Sequence, residues 1–211
     1  MEVISVESGP IATIGYLVFD KESRLGIVID TPMESSDYFV KLIRENNLQL
    51  TAIILTHSHW DHTADAPLLR KISGADIMIH AEDEYRLLDP NAHSIFPLPF
   101  KLEGTKAQRY LNHSDILEIG KLKFDVRHTP GHTEGGICLV EHNNKSVFSG
   151  DTIFQGSVGR VDLPGGDWNT LKKSINEQIL SLDNDYIIYP GHGTLTHVGW
   201  EKANNMFLNE L

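Results

Sequence analysis

The feature that most constrains this chain is a run of metal-competent side chains at residues 57–62, with the sequence His-Ser-His-Trp-Asp-His. It follows residues 51–55, whose apolar and β-branched composition predicts a buried strand. Imidazole nitrogens and carboxylate oxygens are common metal ligands, so this density at a strand end favours a metal site, and two metals over one. The alternative is a solvated polar loop in which Asp61 caps the next helix.

Three further polar residues follow apolar runs later in the chain, each beside a glycine. They are His132 in Thr-Pro-Gly-His-Thr (129–133), Asp151 in Ser-Gly-Asp-Thr (149–152) and His192 in Pro-Gly-His-Gly (190–193). Glycine permits a sharp turn and a close backbone approach, which helps to aim the neighbouring side chain. Each motif is weak alone, but the four clusters together, each at the exit of a strand, predict one shared site.

Strand-like runs alternate with helical patterns in both halves of the chain, and no linker rich in Pro, Gly or Ser separates the halves. One helix is predicted over about residues 63–72. Another begins at the cap residue Asp167 and continues past Ile179 to Leu182. This order predicts a single domain over residues 1–211, with two packed sheets and helices on their outer faces.

The segment 89–107 differs from the rest because prolines interrupt regular structure there. Its apolar residues are Ile95, Phe96, Leu98 and Phe100. A long loop of this kind either covers a binding site or packs on the core, and the sequence leaves both interpretations open.

Composition restricts the class of partner. The formal net charge is −11 and there is no basic run, which disfavours a nucleic-acid partner and favours a small-molecule substrate. There is no run of 18 apolar residues, so no membrane span is expected. One cysteine, Cys138, and an N-terminus without signal-peptide features predict a cytoplasmic protein.

The series of four motifs resembles the metallo-β-lactamase fold superfamily along nearly the whole chain. The resemblance implies an α+β fold, an αββα sandwich of two mixed β-sheets packed face to face, with metals at one edge. It implies that His57, His59 and His132 hold a first metal, that Asp61, His62 and His192 hold a second, and that Asp151 bridges both. True β-lactamases of this superfamily usually alter the first motif or the bridging position, so the intact set argues against that activity.

The implied ligands suit zinc, the favoured metal, and also iron or manganese. Two such cations, about 3.5–4 Å apart, can share a hydroxide that attacks a carbonyl, so no protein nucleophile is required. Asp61 and Asp151 are then the candidate catalytic carboxylates. Four adjacent threonines could orient the imidazoles, although packing is the simpler role for any one of them. These are Thr56, Thr129, Thr133 and Thr152.

A later segment, 156–167, narrows the subfamily. Its Gly159-Arg160-Val161-Asp162 sequence resembles the short glyoxalase II-like (hydroxyacylglutathione hydrolase-like) hydrolases, which implies a thioester substrate. Arg160 is the candidate substrate-binding residue, since a guanidinium can grip a carboxylate with two hydrogen bonds. The alternative is an Arg160–Asp162 turn that orders the loop. Glyoxalase II proper continues into a glutathione-binding helical domain that we expect to be absent here, which argues against S-D-lactoylglutathione as the natural substrate.

The sequence therefore favours a dinuclear metal-dependent thioester hydrolase. One alternative is a mononuclear iron persulfide dioxygenase, which is related to glyoxalase II and shares much of the histidine set. Another is a lactonase or other ester hydrolase of the same superfamily. A nuclease is disfavoured by the acidic charge.

Overall fold

The computed structural model describes residues 1–93 and 98–208. Ile95 and Phe96, named above in the long loop, lie outside the described residues. No helix in the described part of the chain is both long enough and apolar enough to cross a membrane.

The first sheet contains six strands in chain order. They are β1 (Glu2–Ser8), β2 (Thr13–Phe19), β3 (Leu25–Ile29), β4 (Gln49–Ile54), β5 (Asp76–Ile79) and β6 (Arg109–Tyr110). Strand β2 pairs antiparallel with β1 and with β3, whereas the pairs from β3 to β6 are parallel, so the sheet is mixed.

The second sheet is formed by the rest of the chain. The remaining strands are β7 (Ile116–Ile119), β8 (Leu122–His128), β9 (Ile137–Glu141), β10 (Ser146–Gly150), β11 (Ile153–Phe154), β12 (Ser157–Val158), β13 (Ile187–Pro190) and β14 (Thr196–His197). The sheet order is β14-β13-β10-β9-β8-β7, and β11 and β12 form a separate ribbon. Within this sheet β10 and β13 pair parallel, which places their carboxyl ends side by side.

Helices flank the two sheets. They are α1 (Ser36–Glu45), α2 (Trp60–Thr63), α3 (Ala66–Ser73), a 3-10 turn (Ala81–Asp83), α4 (Glu84–Leu88), α5 (Trp168–Ser174) and α6 (Val198–Asn204). The predicted helix over 63–72 is wrong in its start, because α2 already begins inside the histidine run and α3 follows separately. The helix capped by Asp167 is confirmed, and it changes to a π-helix over Ile175–Ile179.

The core explains why the sheets pack face to face. Alternate strand residues point to opposite faces, so Val18 packs between the sheets while Leu17 packs under α1 and α3. Phe148 is fully buried between the sheets, and its truncation to alanine is expected to cost about 3–5 kcal/mol. On the far side, α5 packs its apolar face on the second sheet through Leu171. The predicted αββα sandwich is therefore confirmed.

Candidate metal centre

The seven predicted ligands come together at one edge of the sandwich, where β4, β8, β10 and β13 end. Gly150 pairs with Pro190 at the end of the parallel β10–β13 pair, so Asp151 and His192 leave adjacent strands. The backbone N–H of Ile137 donates to the Thr56 carbonyl (2.8 Å), which joins the histidine loop of the first sheet to the second. Strand register therefore determines the site as much as the local motif does.

Three of the donors form a group that we call the first trio: His57, His59 and His132. Their ligand atoms lie within 4.8 Å of one another. Nδ1 of His59 lies 2.8 Å from Nε2 of His132. The rings of His57 and His132 are 4.8 Å apart at 73° to each other, so their nitrogens are aimed from different directions. Three imidazoles arranged in this way could hold one cation.

Three other donors form the second trio: Asp61, His62 and His192. Their ligand atoms also lie within 4.8 Å of one another. Oδ2 of Asp61 is 3.2 Å from Nε2 of His62 and 3.3 Å from Nε2 of His192. Helix α2 supplies two of these side chains in consecutive positions, because it turns immediately after His59.

Asp151 lies between the two trios. Its Oδ2 is 3.5 Å from Nε2 of His132 and 3.6 Å from Nε2 of His192. Its Oδ1 is 3.2 Å from Nε2 of His62. The Asp151 carboxylate therefore reaches members of both groups, and its role as a bridging ligand stays a prediction.

Unpartnered polar atoms test whether these residues fit a metal. Nε2 of His57 is buried and has no hydrogen-bond partner among the described residues, and the buried Nε2 of His62 and Oδ1 of Asp151 lie 3.2 Å apart without forming a hydrogen bond. Burying such atoms without a hydrogen bond is costly, so a site that brings them together is suited to a cation. Nitrogen and carboxylate donors fit zinc, iron and manganese alike.

Gly191 leaves room for this convergence. A Cβ at that position would lie 2.4 Å from Oδ1 of Asp151 and 2.5 Å from Cε1 of His62. A side chain there would occupy the space between donors from the two sheets, so the glycine beside His192 has a steric role.

The other ring nitrogens are also fixed. Nδ1 of His62 lies 2.8 Å from Oδ2 of Asp30, and Nδ1 of His132 lies 2.7 Å from the Arg160 carbonyl oxygen. Asp30 is buried at the end of β3 and also accepts hydrogen bonds from the N–H and hydroxyl of Thr56, each at 2.8 Å. Such partners orient imidazole ligands. Sequence reasoning missed Asp30, although a polar residue directly after the buried strand 25–29 was a usable signal.

Two of the four threonines therefore do more than pack. Thr56 Oγ1 lies 3.1 Å from Nδ1 of His57, and Thr133 donates to the Asp83 carboxylate at 2.9 Å. Thr129 and Thr152 contact each other at 3.0 Å and lie beside the buried Cys138, so they stabilise the second-sheet loops.

Electrostatics distinguish the two trios. Burial lowers the pKa of His57 well below its ordinary value, and the neighbouring imidazoles add to this shift. Burial, and then the nearby His132, lower the pKa of His59 to about 3. Both rings are therefore neutral over the physiological range, and neutral imidazole is the form that binds metals.

Carboxylates dominate the second trio. Burial lowers the pKa of His62, but Asp151, Asp61 and Asp30 outweigh it and raise that pKa well above its ordinary value. Burial raises the pKa of Asp61, yet the adjacent His62 and His192 hold it well below the usual range. The second trio is thus the more strongly charged part of the site.

A cleft of about 530 Å³ opens over both trios. Asp61, Asp151 and Arg160 line it, and so does His93 from the long loop. Arg160 is 54% exposed and binds Asp162 through two hydrogen bonds of 2.7 and 2.8 Å. The turn considered as an alternative for Arg160 is thus present, and the same residue also lines the cleft.

The described parts of the long loop both pack and border the cleft. Leu102 and Ala107 are buried against the rest of the chain. Phe100 packs on Trp60 with ring centroids 5.5 Å apart, and Pro90 lines the cleft. The two interpretations of this loop are therefore compatible with each other.

Known proteins are similar to this chain in sequence. A hydroxyacylglutathione hydrolase GloC from Haemophilus influenzae is 37% identical over 196 residues, covering 92% of this chain and 91% of that protein. The human mitochondrial persulfide dioxygenase ETHE1 is 31% identical over 180 residues, covering 85% of this chain and 63% of that protein.

Solved structures agree with these sequence matches. The crystal structure of the BLEG-1 B3 metallo-beta-lactamase has a TM-score of 0.90 at 31% identity, covering 98% of this chain and 99% of that one. TTHA1623 in a di-iron-bound form has a TM-score of 0.81 at 32% identity, covering 98% and 100%. The metallo-beta-lactamase superfamily model matches residues 16–192. With the αββα sandwich and the clustered histidines and aspartates, this match shows that the chain belongs to the metallo-beta-lactamase superfamily.

Proposed function

We propose that this protein is a dinuclear metal-dependent hydrolase that cleaves thioesters. One observation carries the proposal: two trios of donor atoms meet at the sheet edge with Asp151 between them. In this proposal the first trio holds one cation, the second trio holds another, and Asp151 contacts both. Zinc is the favoured metal, and iron or manganese fits the same donors.

When bound, the two cations would lower the pKa of a water molecule and polarise a carbonyl group. The chain's own residues prepare the site for that chemistry. Asp30 orients His62 through its Nδ1, and Thr13 donates to Oδ2 of Asp61 at 2.8 Å, which fixes that carboxylate. Asp61 and Asp151 line the cleft, which supports the proposal that they act on the reacting group of a substrate.

The substrate class is argued from the rim of the cleft. Arg160 is exposed there and could bind a substrate carboxylate if its two hydrogen bonds to Asp162 were released or shared. A glutathione thioester carries such carboxylates. A glutathione thioester stays a candidate even though a glutathione-binding helical domain is not expected, because the relative named hydroxyacylglutathione hydrolase aligns over 91% of its own length.

A persulfide dioxygenase is the second candidate, since the first trio could hold a single metal and a relative of 31% identity carries that name. The two functions differ in metal content and in co-reactant. Elemental analysis of the purified protein should give two metal ions per chain, together with hydrolysis of S-D-lactoylglutathione. One iron per chain, with oxygen uptake on glutathione persulfide and no thioester hydrolysis, would overturn the hydrolase proposal.

The sequence-based argument against β-lactam hydrolysis stays a prediction. It has to be weighed against the similarity to BLEG-1, a protein described as a B3 metallo-beta-lactamase. A chromogenic cephalosporin assayed beside the thioester decides between them. Turnover of the cephalosporin at a rate equal to the thioester's would contradict the prediction.

A further inference from the structure

A buried carboxylate outside the predicted ligand set, Asp83, lies behind the first trio. It ends the 3-10 turn Ala81–Asp83, and its side chain is fully buried. We propose that Asp83 is a positioning residue that sets the metal affinity of the first trio. This inference rests on the proposed metal site and extends that site by one buried carboxylate.

Four hydrogen bonds link Asp83 to the two loops that carry the first trio. Its Oδ2 accepts from the N–H of Ser58 (2.7 Å), the hydroxyl of Ser58 (2.9 Å) and the hydroxyl of Thr133 (2.9 Å). Its Oδ1 accepts from the N–H of Gly135 at 2.6 Å. A carboxylate has room for about four donors, so this one is close to saturated.

The donors are placed next to the ligands in sequence. Ser58 stands between His57 and His59, and Thr133 directly follows His132. Every histidine of the first trio is therefore one residue away from a group that Asp83 holds. Because these histidines come from two different sheets, Asp83 fixes the distance between their loops.

Gly135 shows how closely the two loops approach Asp83. A Cβ on Gly135 would lie 2.7 Å from the Asp83 nitrogen and 2.8 Å from its Cβ. The approach is possible only without a side chain there, so the backbone N–H of Gly135 can reach the carboxylate directly.

A neighbouring arginine offsets the buried charge. Nη1 of Arg86 lies 3.6 Å from Oδ1 of Asp83 and 2.7 Å from Oε2 of Glu134. Nη2 of Arg86 donates to the Pro164 carbonyl at 2.6 Å, which adds the loop after Arg160 to the same network. A buried carboxylate is tolerated when it is paired and hydrogen-bonded in this way.

The second trio is held by different groups. Asp30 contacts His62 and Thr13 contacts Asp61, both on the side of the first sheet, and Asp30 reaches the first trio only through Thr56, which lies 3.1 Å from Nδ1 of His57. Loss of the Asp83 charge should therefore weaken the first metal site selectively. A merely structural role would instead lower the stability of the whole fold without distinguishing the two sites.

The test variant is Asp83→Asn. An amide keeps one acceptor oxygen and introduces two N–H donors, so either the Ser58 and Thr133 donors or the Gly135 N–H would face another donor. Competition with a chromophoric chelator should show that the affinity of one metal equivalent falls about 10–100-fold while the other is unchanged. The matched control is Asp76→Asn, since Asp76 is exposed at the start of β5. Both equivalents should bind to this control as they do to the wild type.

Three further variants keep the outcomes separate. His59→Ala should lose one metal equivalent, and retention of both would overturn the proposed metal site itself. If His59→Ala loses one equivalent but folded Asp83→Asn binds both normally, the role of Asp83 is overturned while the metal site stands. If Asp83→Asn does not fold, Ser58→Ala and Thr133→Val decide. Each removes one donor, and wild-type affinity in both would also overturn the role of Asp83.

Discussion

The two sheets contribute to the site in contrasting ways. The first sheet supplies four predicted ligands from six consecutive residues, 57–62, which a loop and the single turn of α2 present together. The second sheet supplies His132, Asp151 and His192 from three separate loops, aligned by strand pairing. The first contribution is thus a property of a short peptide, and the second is a property of the folded sheet.

The contrast explains why both halves are needed. Each trio takes its ligands from both sheets, and Asp151 reaches into both trios. The density of metal-binding side chains at 57–62 made the site visible in the sequence, but the strand register of the second sheet completes the set of ligands. The predictions below test this division, beginning with the residue that joins the two halves.

The largest effect is expected from Asp151→Ala. A metal supplies several kcal/mol of transition-state stabilisation, and about 1.4 kcal/mol corresponds to a tenfold rate, so kcat/KM should fall about 10³-fold or more. Metal content should also drop below two equivalents. Thioester assays and elemental analysis measure both quantities. Asp76→Ala is the matched control, since Asp76 is exposed at the start of β5. Unchanged metal content and an unchanged rate in Asp151→Ala would refute the bridging role.

Removing the metals should loosen the junction between the sheets. A ligand present at about 1,000 times its Kd stabilises the folded state by about 4 kcal/mol, and a chain of this size loses about 2–4 °C per kcal/mol. Calorimetry with a chelator should therefore show a melting temperature lowered by about 8–16 °C. Asp151→Ala should respond much less to the chelator, and an equal response in both proteins would contradict the prediction.

Asp30→Asn separates the two trios from the first-sheet side. Asp30 has a positive φ of 58°, which asparagine tolerates, so the backbone should be preserved while His62 loses its carboxylate partner. The affinity of the second-trio equivalent should fall about 10–100-fold, and that of the first-trio equivalent should fall less, because Asp30 reaches His57 only through Thr56. In the double variant with Asp83→Asn, both equivalents should weaken strongly, and titration measures this. If Asp30→Asn and Asp83→Asn both weaken the same equivalent most, the assignment of one carboxylate to each trio is wrong.

The smallest effect concerns Arg160, whose backbone and side chain have different roles. Its carbonyl fixes His132, and this contact survives in Arg160→Ala, so metal content should not change. KM for an anionic thioester should rise about tenfold with little change in kcat, if the side chain only binds substrate. Asp162→Asn releases the guanidinium and should lower KM. If both variants raise KM equally, the Arg160–Asp162 pair only orders the loop.

What could be predicted from the sequence depends on whether a residue belongs to a local pattern or acquires its role only when the sheets pack. The run at 57–62 and the three Gly-linked motifs were found because several donors, or a donor and a turn residue, stand together. Asp30 and Asp83 were missed because each is a single acidic residue, and what makes it important is the set of hydrogen bonds formed after the sheets pack. Asp30 had one signal, its position directly after a buried strand, whereas Asp83 lies in a short turn with no local pattern that separates it from surface aspartates.

Arg160 illustrates a different limit. The sequence left substrate binding and an Arg160–Asp162 turn as alternatives, and the structure contains the turn at the rim of the cleft. The helix predicted over 63–72 failed for a related reason. The helix boundary is set by the turn that presents Asp61 and His62, which apolar periodicity does not report.

The parallel pairing of β10 with β13 bears on the biosynthesis of the centre. A ribosome delivers the chain from its N-terminus, so His57, His59 and His132 emerge well before the strand that carries His192. Strand β13 can align with β10 only after the intervening helix α5 has been made. Metal loading is therefore expected to follow the direction of translation, with the first trio completed earlier in synthesis than the second.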